Sequence, residues 1–315
     1  MFRSILVPLD GSIMAEQAIL PAGDIARRLG ASLSLAVVHP WGPGEDAPFS
    51  GTEADRDLRG REDRYLADVR ERAAGACGVS AEMALLEGDP AEALAGFASE
   101  RRTDLVVSTT HGRGALARAL RGGVALRLAH ALACPTLLLK PLHEASAAAD
   151  PDGFIRIMVP LDGSAAAESS VAPALALAAS RGVTLFLVQV ISPFEGGGPR
   201  LADRRRDALY YLNGIAGRLD RSGARVDCRV VTRPKTAPSL VSLAARWSVD
   251  LIAITTRERG EGERLLLGSV ADTVVRLATM PVMVCHPTVR QPVADLSRAA
   301  AASSLGRLLP APVPA

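Results

Sequence analysis

The sequence predicts an α/β protein made of two tandem domains, each a five-stranded parallel sheet of the doubly wound, nucleotide-binding-like kind. Three observations lead there. Short β-branched runs alternate with amphipathic stretches, the pattern of βαβ units. The pattern runs through twice in 315 residues, a length that suits two ordinary domains better than one. The third is a repeat: Val7-Pro8-Leu9-Asp10-Gly11-Ser12 returns unchanged as Val159-Pro160-Leu161-Asp162-Gly163-Ser164, and a period this long marks duplicated domains rather than a solenoid.

In copy one the strands are expected at 4–8, 32–39, 81–86, 104–108 and 136–140, with helices between them. In copy two they are expected at 155–160, 184–191, 225–231, 251–255 and 282–285. The alignment of the copies extends well past the first strand: Glu16 matches Glu168, Pro21 matches Pro173, Gly30 matches Gly182, and Leu33, Leu35 and Val38 match Leu185, Leu187 and Val190. Further on the offset shrinks by six residues, pairing Asp104-Leu105 with Asp250-Leu251, Gly122 with Gly268 and Pro135 with Pro281. The loss is assigned to the polar stretch 41–57, whose counterpart near 193–199 is shorter. The domains are therefore 1–144 and 153–287, with a linker between and a Pro- and Ala-rich tail, 288–315, expected to be mobile.

Ser12 and Ser164 sit where a helix N-cap is expected, because a hydroxyl there can accept from an unpaired amide of the first turn. Pro21 and Pro173 fit poorly with one continuous helix. A proline nine residues past the cap removes a helix hydrogen bond at a cost of up to ~3 kcal/mol, so the helix either kinks there or begins elsewhere.

Composition removes several classes of function. The 36 basic residues are spread among 34 acidic ones for a net charge of +2, so no footprint for a phosphate backbone exists and nucleic acid is not an expected partner. The four cysteines are far apart, with neither a C-x-x-C pair nor metal-ligand spacing. No apolar run approaches the ~18 to 20 residues that span a bilayer, so no membrane is expected and the location is expected to be cytoplasmic. The runs Arg204-Arg205-Arg206 and 59–64 lie among acidic residues and read as solvated helix faces.

In an open parallel sheet, ligands bind beyond the carboxyl ends of the strands where strand order reverses. The loops after strands one and four matter most. The first offers Asp10, or Asp162 in copy two, whose bland role is a turn residue bonding nearby amides. The second begins Ser108-Thr109-Thr110-His111-Gly112-Arg113-Gly114, with Gly122-Gly123 opening the next helix. His111 reads as a loop hydrogen-bonding residue rather than a general base, since no nucleophile is fixed beside it. Neither a P-loop nor a dinucleotide fingerprint occurs.

The VPLDGS segment after strand one, Thr110-His111-Gly112-Arg113-Gly114 after strand four, the Gly122-Gly123 pair and Cys134-Pro135 before strand five resemble the universal stress protein family, over nearly all of both copies. The resemblance implies a fourth-strand loop of the form G-2X-G-9X-G-[ST], whose glycines let backbone amides approach phosphates. It also implies that the aspartate after strand one lies by the adenosine and that the end of strand two lines the base. Carried onto this sequence, copy one has Thr109, Gly112, nine residues, then Gly122 and Gly123, with Arg113 able to offset phosphate charge and Val124 following. Copy two has Thr255, then Glu258, nine residues, then Gly268 and Ser269, with Val270 following. A carboxylate about 4 Å from a phosphate repels it by ~1 kcal/mol in water and ~4 kcal/mol at an effective dielectric of 20.

The candidate nucleotide-binding residues are therefore Pro8, Leu9, Asp10, Val38, Thr109, His111, Gly112, Arg113, Gly122, Gly123 and Val124 in copy one. In copy two they are Pro160, Leu161, Asp162, Val190, Gly268, Ser269 and Val270. The expectation is ATP, with Mg as its phosphate counterion, held mainly in copy one as a regulatory ligand in a stress response and read by an unidentified protein partner. No catalytic residue and no metal site is assigned, and slow ATP hydrolysis is the most chemistry expected. The alternative is an interaction module that has lost nucleotide binding, as the substitutions at Thr109, Thr255 and Glu258 suggest. By the same resemblance the copies form an intramolecular pseudo-dimer through their fifth strands, with a homodimer left open.

Overall fold

Period-two alternation decides which way each strand presents its side chains, and here both directions are apolar because helices cover both faces of the sheet. The computed structural model describes residues 2–39, 52–110, 132, 134–140, 153–179, 182–194, 200–256 and 269–287. The copy-one strands are β1 (Ser4–Leu9), β2 (Ser32–His39), β3 (Ala81–Glu87), β4 (Leu105–Thr109) and β5 (Thr136–Leu139). Those of copy two are β6 (Arg156–Pro160), β7 (Thr184–Ile191), β8 (Arg225–Thr232), β9 (Leu251–Thr255) and β10 (Val282–Cys285). Each expected strand is present, with ends within a residue or so of the expectation.

The strands form one ten-stranded sheet in the order β3-β2-β1-β4-β5-β10-β9-β6-β7-β8. Within each copy all pairings are parallel, and β1 lies between β2 and β4. The direction of strand order therefore reverses between β1 and β4, and again between β6 and β9. The copies join where β5 and β10 run antiparallel, with Val282 opposite Leu138, Met283 opposite Leu137 and Val284 opposite Thr136. That pairing occupies two edges that would otherwise expose unpaired backbone groups.

Buried side chains sort by face. Ile5, Val7, Leu35, Leu137, Ile157, Leu187 and Met283 belong to one core that runs across both copies. On the opposite face Leu6, Ala36 and Val106 form a copy-one core, while Met158, Val188, Ile252 and Val282 form a copy-two core. Leu138, from copy one, lies in the copy-two core.

The helices are α1 (Ile13–Glu16), α2 (Ile19–Leu29), α3 (Glu53–Cys77) and α4 (Pro90–Glu100), then α5 (Ala165–Glu168), α6 (Val171–Ala176), α7 (Leu201–Leu219), α8 (Thr236–Arg246) and α9 (Ser269–Leu277). The helix after β1 is thus two pieces, not one. Pro21 is the third residue of α2 and Pro173 the third of α6, first-turn positions where a missing N–H lacks an intrahelical acceptor anyway. Of the two alternatives raised by the prolines, a boundary beyond the cap is the one adopted.

Most of the shortening of copy two lies in the connection the sequence pointed to. The connection from β2 to α3, residues 40–52, has thirteen positions against nine at 192–200, and α3 has 25 residues against 19 in α7. A further difference lies in α6, with six residues against eleven in α2. The carbonyls at its end, Leu177 and Ala178, accept from the guanidinium of Arg28 in copy one, Leu177 at 3.1 Å. Gly153 makes that approach feasible: it has φ +107°, and a Cβ there would lie 2.4 Å from Arg28 and 2.9 Å from the Leu177 carbonyl. No helix among the described residues is long and apolar enough to cross a membrane. The linker 145–152 and the tail 288–315 lie outside the described residues.

Candidate functional site

The loop after β1 is shaped by its own side chains. Asp10 Oδ1 accepts from the Ser12 amide at 3.0 Å and the Ser12 hydroxyl at 2.6 Å. Ser12 Oγ in turn accepts from the Ala15 amide at 3.1 Å and caps α1. Gly11, at φ +75°, supplies the left-handed residue of the turn. Copy two reproduces the arrangement, with Asp162 Oδ1 accepting from Ser164 N at 3.1 Å and Ser164 Oγ at 2.6 Å, and Ala167 N donating to Ser164 Oγ at 3.2 Å. The turn role is real for both aspartates, and it fixes each carboxylate at a switch point. Asp10 is half-buried, whereas Asp162 is exposed.

Leu9 and Leu161 turn their side chains into the shared core, so any contribution they make to a crevice comes from the backbone. Pro8 is buried and pairs with Ala36, and Pro160 pairs with Val188. The β1–β2 register ends at Leu9 opposite Val37, and Val38 stands one residue beyond it. Val190 stands two residues beyond the Pro160–Val188 pair.

Thr109 ends β4, buried, opposite Leu139, and the Thr110 amide donates to the Leu139 carbonyl at 2.9 Å. In copy two the Thr255 hydroxyl donates to the Ala167 carbonyl at 3.4 Å and lies 3.5 Å from Ser169 Oγ. The fourth strand of copy two is thereby fastened to the start of its helical layer. Ser269 opens α9 and is exposed, with Val270 partly buried behind it. His111, Gly112, Arg113, Gly122, Gly123, Val124, Glu258 and Gly268 lie outside the described residues.

Two polar constellations were not singled out from the sequence. In copy one Arg72 on α3 pairs with Glu16 on α1 at 2.7 Å. In copy two Arg218 on α7 pairs with Glu168 on α5. Seven residues before each arginine, on the same helix face, stand Tyr65 and Tyr211. Burial, and then the neighbouring Glu16 and Asp10 carboxylates, raise the Tyr65 phenol well above its ordinary range. Burial with Glu168 and Asp162 does the same to Tyr211. Each site aspartate thus stands near a tyrosine, a glutamate and an arginine in an arrangement built twice. The signal was present in the repeat, since Tyr65 and Arg72 match Tyr211 and Arg218 at the later offset.

The second constellation exists in copy one alone. His39, at the end of β2 and 2% exposed, places Nδ1 2.6 Å from Glu62 Oε2 and Nε2 2.9 Å from Asp55 Oδ1. Arg59, one turn from Asp55 on α3, contacts both Asp55 carboxylate oxygens at 3.2 Å and reaches Glu87 on β3. His39 shares the face of Leu33, Leu35 and Val37, where α3 packs. The copy-two residue at this place is Ile191, and there the next helix reaches the strand end through Arg204 on α7, whose Nη2 donates to the Ser192 carbonyl at 2.8 Å. No group of three or more His, Cys, Asp or Glu suited to a metal occurs among the described residues.

The family model described as the universal stress protein family matches residues 1–140 and again 153–286. The chain belongs to the universal stress protein family. It is a tandem member, two such domains in one polypeptide. Universal stress protein Rv2005c of Mycobacterium tuberculosis is 29% identical over 301 residues, covering 90% of this chain and 97% of that protein. A universal stress protein of Thermus aquaticus is 35% identical over 144 residues, 44% of this chain and all of that protein. Among solved structures, a universal stress protein from Archaeoglobus fulgidus superposes with a TM-score of 0.67 at 18% identity, over 90% of this chain and 96% of that one. A second, from Pseudomonas aeruginosa, gives 0.58 at 16% identity over 95% and 98%. At those identities the superpositions speak for the fold.

Proposed function

We propose that this universal stress protein binds an adenine nucleotide, ATP with Mg, at the strand-end crevice of copy one, as a regulatory ligand rather than a substrate. The observation that carries the reading is the geometry at the β1–β4 switch point, the place where open parallel sheets take ligands. There Asp10 is held by its own turn, and Val38 stands past the end of β1. Asp10 would face the adenosine, Val38 the base, and the amides of Gly112, Gly122 and Gly123 the phosphates, with Arg113 offsetting their charge. The ligand's effect would be to change the surface shown to a protein partner in a stress response.

Copy two supports the other reading, that of an interaction module. Its fourth-strand Thr255 is fastened across the crevice to Ala167 and Ser169, and Glu258 stands where the phosphate loop needs a neutral residue. Calorimetric titration of nucleotide-stripped protein with Mg-ATP tests the division of labour. Binding is expected in the unaltered protein and in Asp162→Ala, and lost in Asp10→Ala and Gly112→Glu. An absence of heat in every form overturns nucleotide binding and leaves the interaction module.

A further inference from the structure

Copy one lends two cations to helix ends in copy two. The last four carbonyls of a helix have no intrahelical partner, and a positive charge there is favourable. Arg28 fills this role at the end of α6. Lys140 fills it at α9: its Nζ, in a side chain 8% exposed, donates to the Val275 carbonyl at 2.7 Å. Val275 is two residues from the end of α9, and the Ala278 amide takes the preceding carbonyl, Val274, at 2.9 Å. The positions equivalent to Arg28 and Lys140 in copy two are Ser180 and His286.

Lys140 also stands at the end of the strand that pairs with β4. It follows Leu139, the register partner of Thr109, and the Leu139 carbonyl holds the amide of Thr110, the residue before His111. Its other end meets a helix that begins at Ser269, six residues or about 9 Å of helical rise from Val275. One side chain therefore spans from the strand end flanking copy one's glycine loop to the helix that opens with the retained serine of copy two.

We propose that Lys140 is an intramolecular latch through which copy one controls the order of α9 in copy two. It couples the state of the first crevice to the second copy's surface. The coupling to nucleotide rests on the reading of copy one as the ATP site; the latch itself does not. Replacing the ammonium leaves the Val275 carbonyl without its charged donor, a change of the size that shifts an opening equilibrium about tenfold.

The test is amide hydrogen exchange of the full chain, followed at Thr273 to Leu277 and at β9 as an internal reference, in the unaltered protein, Lys140→Met and Lys140→Arg. Without nucleotide, exchange in α9 about tenfold faster in Lys140→Met, recovered in Lys140→Arg and with β9 unchanged, supports the latch. Equal exchange in all three, or a uniform rise through α9 and β9, overturns it. With Mg-ATP, slower exchange in α9 of the unaltered protein but not of Lys140→Met supports the coupling. Binding seen by calorimetry with no difference between the two proteins at α9 overturns the coupling. If calorimetry shows no binding, the nucleotide reading fails, and the nucleotide-free comparison still decides the latch.

Discussion

Replacing Leu138 by alanine removes a side chain that copy one contributes to the core of copy two. Leu138 is fully buried and packs in one cluster with Met158, Ile252 and Val282. Three carbons are lost, worth about 2.4 kcal/mol at ~0.8 kcal/mol each. The cavity left in a sheet pinned on both sides raises the total to about 3 to 4 kcal/mol. The assay is urea unfolding followed by the fluorescence of Trp247, which stacks on Phe186 at 5.4 Å in the same region. The chain has two tryptophans, so a Trp41→Phe background makes the signal specific to copy two. The midpoint reported by Trp247 is expected to fall by an amount equivalent to about 3 kcal/mol, though the altered residue belongs to copy one. If Trp247 unfolds unchanged while far-UV circular dichroism shows an earlier transition of the remainder, the shared core is refuted.

Two further outcomes follow from buried charge. His39→Leu leaves Asp55 and Glu62 facing an apolar side chain in place of their common partner, and the loss is expected to be about 2 to 4 kcal/mol by urea titration; a change under about 0.5 kcal/mol contradicts it, and Ile191 should accept Leu at little cost. Asp250 accepts from the Ile155 and Arg156 amides, yet burial outweighs them and raises its carboxyl above the ordinary value. The folded state then holds its proton more tightly than the unfolded one, so this group's contribution is complete below the unfolded value of about 3.9. It is lost as the pH rises through the folded value. The stability of the unaltered protein relative to Asp250→Asn should therefore improve on acidification across that window, measured by urea unfolding at a series of pH values, and a difference independent of pH contradicts the shift.

Much of this protein is written locally. The repeat of Val7 to Ser12 at Val159 to Ser164 established duplication, and short β-branched runs placed every strand, because burial on two faces leaves an apolar run that flanking glycines and prolines delimit. The caps at Ser12 and Ser164 were legible for the same reason, a hydroxyl three residues from the amide it serves. Pro21 showed the limit of that reasoning, since composition told that something had to yield but not that α1 would stop at Glu16. Asp10 and Asp162 were singled out from the sequence as candidates, whereas Tyr65, Arg72 and His39 were passed over, because their partners stand on other elements. The family resemblance pointed to a meeting of the fifth strands, but only the tertiary structure decided that β5 and β10 run antiparallel with Leu138 opposite Val282, that Leu138 belongs to its neighbour's core, and that Arg28 and Lys140 serve helices some 150 and 135 residues away. Nothing local marks such pairings: a buried leucine or a strand-end lysine has the same neighbours in sequence whichever domain it faces, and its partner is chosen by which surfaces remain to be covered once each copy has folded.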